Sequence, residues 1–411
     1  MARRLYAYAF LADCVPFYPV YALVFADAGV SPAGISVLFA LWSAASFLVE
    51  IPSGVWADVV SRRLLVILAP LLEAAGYALW VVFPVFWSFA AGFVLLGAGT
   101  ALRSGTLQAL VYAEVDRVGA AGAYARLSGR AQAFGGAAEL VATALAAPLV
   151  SAGGYRLVGA CSVLALLACA AAGRTLPRTP VRTRSGPAEP ERVSSRDRTA
   201  GAASSEPTPD NQGAGGDDLG QLATLRAGLG AVRRSAVLRR VLLLTATLTG
   251  VAALDEYLPL LARGTGAGPG LVPLLVLAVT AGSTIGGLLA GRGGRWLGPA
   301  LAVAAVLLAV GAGTGLPVGI VGVAAAFGIF YWALAQADAR LQDSVEDSVR
   351  ATVSSISGAA MEAVAILTFG LYATGSAWLS PRWLFVAATL PCLLLAAIAR
   401  RPPTGRPGPD R

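Results

Sequence analysis

Eight ionisable residues, Asp13, Glu50, Glu73, Arg103, Glu139, Asp255, Glu256 and Glu362, stand inside long apolar runs of this sequence. A charge at a lipid-facing helix centre costs about 2.5–3.5 kcal/mol or more. Each of them must therefore face an interior, take a partner or line a hydrated cavity. Arg103, in Leu102-Arg103-Ser104-Gly105, is the one arginine set this deep and requires a carboxylate; Glu73 and Glu139 match it in depth. Carboxyls so placed can carry protons, and with no histidine in the chain they are the natural carriers. Asp13 and Glu362 read as cavity residues. Asp255-Glu256 lie in the outer third of their span, at a gate or in partial solvation, and Glu50 belongs to a cytoplasmic gate. The competing reading makes these charges packing pairs that hold helix register.

Other chemistries are closed off. All 31 basic residues are arginine and there is no His. Without Lys there is no Walker-type phosphate-binding lysine and no Schiff-base lysine. Without His there is neither a Ser-His-Asp triad nor a histidine metal site. The sequence is not that of an enzyme, and no catalytic residue, metal or cofactor is expected. Cys14, Cys161, Cys169 and Cys392 all fall in apolar runs at spacings unlike zinc or redox motifs, and read as small apolar residues. Aromatic residues cluster in the first and tenth apolar runs. Tyr18, Tyr21 and Trp332 among them are candidates to touch a substrate, or else to anchor the helices at the membrane interface.

The elements that hold these residues follow from composition. The chain of 411 residues is 56% hydrophobic and 13% charged, with a mean hydropathy of +0.69. Soluble domains carry about 25% charged residues, so a bilayer is the solvent this composition suits. Apolar runs divide into six candidate spans within residues 1–173 and six within 237–400, each long enough for a bilayer core of about 30 Å. Between them, residues 174–236 are rich in Pro, Ser, Gly, Asp and Arg and read as a mostly disordered cytoplasmic linker. Its last stretch, with Leu222, Leu225 and Leu229 beside Arg226, Arg233 and Arg234, suits either an interfacial helix or a basic anchor. Residues 401–411 form a tail.

Arginines alternate between connections. Arg3, Arg4, Arg62, Arg63, Arg117, the linker, Arg292, Arg295, Arg340, Arg350 and the tail all fall on one side, against Arg156, Arg263 and Arg382 on the other. Cytoplasmic loops carry the excess of basic residues, so both termini and the linker are expected in the cytoplasm of a multi-pass cell-membrane protein. The net charge of +8 sits in these loops rather than on one folded basic face, which argues against nucleic acid as a partner.

The loop after the second span reads Gly54-Val55-Trp56-Ala57-Asp58-Val59-Val60-Ser61-Arg62-Arg63, preceded by Glu50-Ile51-Pro52-Ser53. It resembles the signature loop of the major facilitator superfamily, in the branch whose second span ends in Glu-Ile-Pro-Thr/Ser-Gly. The resemblance implies an all-α membrane protein of twelve transmembrane helices, in two six-helix bundles joined by a long cytoplasmic linker. It also implies that Gly54, Asp58, Arg62, Arg63 and Glu50 belong to a cytoplasmic latch between the bundles. Asp58 would meet the N-terminus of the eleventh span near Thr352; Arg62 and Arg63 would pair with Asp58, Glu114 or Asp116. The chain departs from the family pattern at Val59 and Ser61. The matching loop Gly291-Arg292-Gly293-Gly294-Arg295 lacks the acid, and Phe93 stands where antiporters carry arginine. The fifth span lacks the Gly-Pro pair of drug–proton antiporters.

The expected function is secondary transport of a small organic molecule by alternating access, coupled to protons or another ion, with efflux and facilitative uptake both open. A non-transporting receptor on the same fold is the alternative. A monomer is expected, with Gly282 and Gly286 available for helix packing within or between molecules.

Overall fold

The computed structural model describes residues 1–117, 119, 121–177, 230, 233, 235–343 and 350–399; for 51–59, 121, 237, 295, 342–343, 350–352, 354–355 and 397–399 it describes the backbone alone. The rest of the 174–236 segment and the 400–411 tail lie outside the described residues, as does the candidate interfacial helix. No strand occurs among the described residues. The first part of the chain forms α1 (Ala2–Asp13), α2 (Tyr21–Asp27), α3 (Pro32–Val59), α4 (Arg62–Val82), α5 (Phe86–Arg117) and α6 (Tyr124–Gly173). The second forms α7 (Ala236–Ala252), α8 (Leu258–Gly264), α9 (Val272–Leu288), α10 (Leu297–Gly313), α11 (Gly319–Asp343), α12 (Arg350–Gly375), α13 (Pro381–Ala387) and α14 (Thr389–Ala399).

Eight helical stretches are long and apolar enough to cross a membrane, α1–α2 and α7–α8 each counting as one. Val272–Leu288, Leu297–Gly313 and Pro381–Ala396 are shorter apolar helices. The outward faces suit lipid, because Leu243, Leu288, Val310, Val321 and Leu394 are all exposed and water would penalise so much apolar surface. Trp87 and Trp378 are exposed at the end of the bundle away from the N-terminus, where Arg382 also lies over the Trp383 ring. Amphipathic rings favour that depth, level with the lipid headgroups.

Helix α6 has 50 residues, about 75 Å at 1.5 Å per residue and more than twice a hydrocarbon core. It breaks at Gly153 and Gly154, where Gly154 takes φ 61° and ψ −163°, a conformation essentially confined to glycine. Two apolar segments therefore meet at this pair.

The sequence reads the first and seventh spans as continuous, and both are broken. Pro16 and Pro19 lack the N–H an α-helix needs, so α1 stops at Asp13 and the chain passes through a 3₁₀ turn at Tyr18–Val20 before α2 begins at Tyr21. The backbone N–H of Phe17, freed at the break, donates to Ser162 Oγ at 3.0 Å. In the second part, Ala253–Tyr257 tightens to a 3₁₀ turn ahead of Pro259. Each break carries carboxyls: Asp13 in one, Asp255 and Glu256 in the other.

Helices α1, α3, α4, α5 and α6 pack on one another, as do α7, α9, α10, α11, α12 and α14. The two sets meet chiefly where α3 lies against α12 and α6 against α9. Gly282 and Gly286 serve packing inside the chain, since a Cβ at either would strike the backbone carbonyls of Ala324 and Gly328 on α11. Small residues are what let backbones come this close without a hydrophobic driving force.

Candidate functional site

The break after α1 leaves the Asp13 side chain beside α5, where Arg103 Nη1 donates to Asp13 Oδ1 at 3.0 Å. Glu73 of α4 approaches from the other side, its Oε1 4.0 Å from Arg103 Nε. The deep arginine thus takes two carboxylates from two helices. Glu73 was a depth match for that role; Asp13, in the sequence a cavity residue without an assigned partner, makes the hydrogen bond. Glu139 lies on α6, exposed to the open space beside this cluster. Gly135, one turn before Glu139, leaves room for Asp13, because a Cβ there would strike Asp13 Oδ2.

A cavity of ≈ 260 Å³ opens around this group. Asp13, Glu73, Arg103 and Glu139 supply its charge, while Tyr18, Tyr21, Trp42, Tyr77, Trp80 and Phe93 supply aromatic surface. A second cavity of ≈ 270 Å³ continues into the other part of the chain, bounded by Asp255, Tyr331, Thr280, Ser283 and Thr284. Tyr18 and Glu139 line both. The two spaces therefore form one site between the two sets of helices.

Hydrogen bonds tie the seventh-span break to the first-span break and to α11. Tyr18 donates to Glu256 Oε1 at 3.3 Å, and Tyr331 to Asp255 Oδ2 at 2.9 Å. Three buried polar atoms here have no hydrogen-bond partner among the described residues: the indole N–H of Trp42, Glu73 Oε1 and Glu256 Oε2. Buried polar groups are normally satisfied, so one donor and two acceptors stand ready for a ligand, a proton or water.

The site is closed at the end away from the N-terminus. Tyr257, at the seventh-span break, donates to Ser36 Oγ of α3 at 2.7 Å. Its ring stacks on Tyr372 at 3.6 Å and meets Phe39 edge-on at 5.2 Å. Beyond this aromatic layer, Arg263 of α8 pairs with Asp27 of α2, which also accepts from Tyr155 at 3.1 Å.

The other candidates fall elsewhere. The Trp332 indole donates to the Arg292 carbonyl at 3.0 Å and lines neither part of the central cavity; its neighbour Tyr331 does, one helical position round. Glu362 is half-buried on α12 and likewise lines neither part. Tyr21 belongs to the aromatic wall. Glu50 is exposed on α3, Arg63 is half-buried, and Arg62 reaches the Ala109 carbonyl of α5 at 3.4 Å. Glu114 is bridged to Arg117 at 2.7 Å. Gly54 and Asp58 lie in the helical backbone of α3, and the side chains of Asp58 and Thr352 lie outside the described residues. Sequence reading missed Trp42 and Thr280, which carry no signal beyond their apolar setting.

The description Major Facilitator Superfamily matches residues 6–337. No curated protein matches the chain. Among solved structures, the nucleoside transporter NupG is similar with a TM-score of 0.70 at 12% identity, over 97% of this chain and 98% of that one. A D-xylose–proton symporter is similar with a TM-score of 0.67 at 14% identity, over 97% and 96%. A bacterial homologue of the human lysosomal transporter Spinster, inward-facing and occupied, gives 0.66 at 16% identity, over 97% and 94%. At such identities the likeness is one of fold.

Proposed function

The chain belongs to the Major Facilitator Superfamily, a family of transporters rather than enzymes, and on that premise we propose that it exchanges small organic cations for protons by alternating access. The observation that carries this reading is the central cavity, where Asp13, Glu73, Glu139 and Asp255 face a single arginine, Arg103, within aromatic walls. Arg103 is matched by its two carboxylates, which leaves Glu139 and Asp255 to attract a positive charge. Aromatic faces add cation–π attraction, strongest where water is excluded. A carboxyl that holds a proton has no charge left for the cation. Loading of one therefore opposes loading of the other, which is the requirement for exchange.

Twelve passes account for the helices: eight long stretches, of which α6 makes two passes, and three shorter ones. Six precede the linker and six follow it, so the linker and both termini share one side. The arginine distribution supports the cytoplasm as that side. The closure formed by Tyr257, Asp27 and Arg263 then lies on the outer side. With the outer side closed, the carrier is in the state from which an exporter loads and an importer releases.

Flux in proteoliposomes tests the reading, using labelled aromatic amines, matched neutral and anionic aromatics, and an imposed pH gradient. Gradient-driven accumulation confined to the cations supports it. Equal handling of neutral analogues would remove the charge assignment, and indifference to the gradient would make the protein a facilitator.

Two substitutions should bias the access equilibrium in opposite directions. Asp27→Asn weakens the outer closure, and Asp58→Asn weakens the latch that the signature loop implies on the inner side. With a cysteine at Thr100 of the cavity wall, and the four native cysteines replaced, labelling by an external impermeant maleimide should rise in the first. It should fall in the second. An exposed ion pair is worth about 0.2–1 kcal/mol, so shifts of about two- to fivefold are expected. Unchanged labelling in Asp58→Asn would remove the latch.

A further inference from the structure

Away from the central site, a third cavity of ≈ 420 Å³ lies between α7, α12 and the α13–α14 pair. Drug-sized ligands occupy pockets of about 300–1,000 Å³. Its described lining carries no charged side chain; Val251, Leu254, Val364, Leu384 and Pro391 make it apolar. The break of the last span at Ala388 explains the space. Ala387, Ala388 and Pro391 line it there, where a continuous helix of large residues would fill it. Leu367 and Leu371 border it while remaining 57% and 63% exposed, so its mouth opens sideways onto the surface that lipid covers.

One polar atom distinguishes this cavity from an ordinary groove between helices. Tyr372 lines it, is 3% exposed, and its buried hydroxyl has no hydrogen-bond partner among the described residues. The two threonines that also line it are already satisfied: Thr247 donates to the Leu243 carbonyl at 2.7 Å and Thr368 to the Val364 carbonyl at 2.9 Å. The Tyr372 ring is held by its stack on Tyr257 at 3.6 Å, so the donor has a set position. An unmet donor needs an acceptor from outside the protein.

Depth selects the acceptor. Tyr372 lies three residues before the end of α12 at Gly375, about 4.5 Å along the axis and below the headgroup level taken by Trp378, the depth at which ester carbonyls lie. Val364, at the inner end of the cavity, is eight residues and about 12 Å deeper. The ligand is therefore polar at the interface and apolar below it, enters from the bilayer, and needs no charge within the pocket.

We propose that this lateral cavity binds one acyl chain of a membrane diacyl phospholipid, with its ester carbonyl accepting a hydrogen bond from Tyr372. This site is independent of the substrate assigned to the central cavity.

The test uses the full chain in nanodiscs with phosphatidylglycerol carrying a photoreactive diazirine in mid-chain, in diester and matched diether forms. After irradiation, label is mapped by peptide mass spectrometry. With the diester lipid, label should concentrate in residues 247–254, 364–372 and 384–391 above the level on α10. Tyr372→Phe removes one neutral hydrogen bond, so labelling there should fall about three- to tenfold. The diether lipid should label the unaltered protein as weakly as the diester labels the variant. Tyr372→Phe breaks no hydrogen bond within the protein, so its melting temperature in detergent should be unchanged. Ala387→Trp, which fills the mouth, should abolish the label without affecting that of α10. Even labelling over all lipid-facing helices, or equal labelling by the two lipids, would overturn the proposal.

Discussion

Exchange of Arg103 for glutamine is expected to end transport and to destabilise the protein measurably. Asp13 and Glu73 would then share a cavity wall with no cation between them. Removing one partner of a buried ion pair costs about 3–5 kcal/mol, because the remaining charge stays buried without compensation. Here the cost should fall at the lower end. The Glu73 side chain is 8% exposed, but that of Asp13 is 42% exposed and keeps contact with cavity water. Arg103→Lys retains the charge but cannot reach both carboxylates with a planar fork, so partial activity with little loss of stability is expected. The triple variant Arg103→Gln, Asp13→Asn, Glu73→Gln removes all three charges. It should regain most of the lost stability, read as melting temperature in detergent, without regaining flux. If Arg103→Gln transports normally, the cluster is a packing pair and the coupling role falls with it.

Neutralising Glu139 and Asp255, which have no cationic partner among the described residues, should act differently. Asp255→Asn keeps an acceptor for Tyr331, and Glu139→Gln is exposed to the cavity on α6, so neither should disturb folding. A hydrogen bond to a charged group is worth about 1.5–3 kcal/mol, which predicts a ten- to hundredfold loss of cation flux for each substitution. The two together should also abolish the response to a pH gradient, since the carboxyls left in the cavity lining, Asp13 and Glu73, are held by Arg103. Transport of a neutral analogue, if any, should be unaffected by either. Direct measurement of proton movement with a pH-sensitive dye during cation efflux separates the two roles. Loss of flux with retained proton leak would assign these residues to the substrate alone.

These expectations also define the limits of sequence reading. The number and placement of the apolar runs are linear properties, because a bilayer demands about 20 consecutive apolar residues and punishes each charge within them. So the helical class and the absence of lysine and histidine chemistry were legible before any coordinates. The need of Arg103 for a carboxylate was legible for the same reason. The choice of carboxylate was not: depth alone favoured Glu73 and Glu139, whereas the break at Pro16 turns Asp13 into hydrogen-bonding distance. A break changes direction as well as depth, and hydropathy records only depth.

The same distinction explains the aromatics. Tyr331 and Trp332 are adjacent in sequence, yet a step of about 100° round the helix sends one to Asp255 and the other to the Arg292 carbonyl. The sequence by itself determined that this chain lives in a membrane and repeats an acid in the first span of each part. Tertiary structure alone decided that Tyr18 reaches Glu256 over 238 positions and that Tyr257 closes against Ser36 over 221. Contacts between helices that distant depend on which faces meet when the two sets pack. Periodicity along one helix leaves that open, because lipid tails and neighbouring helices are equally apolar partners.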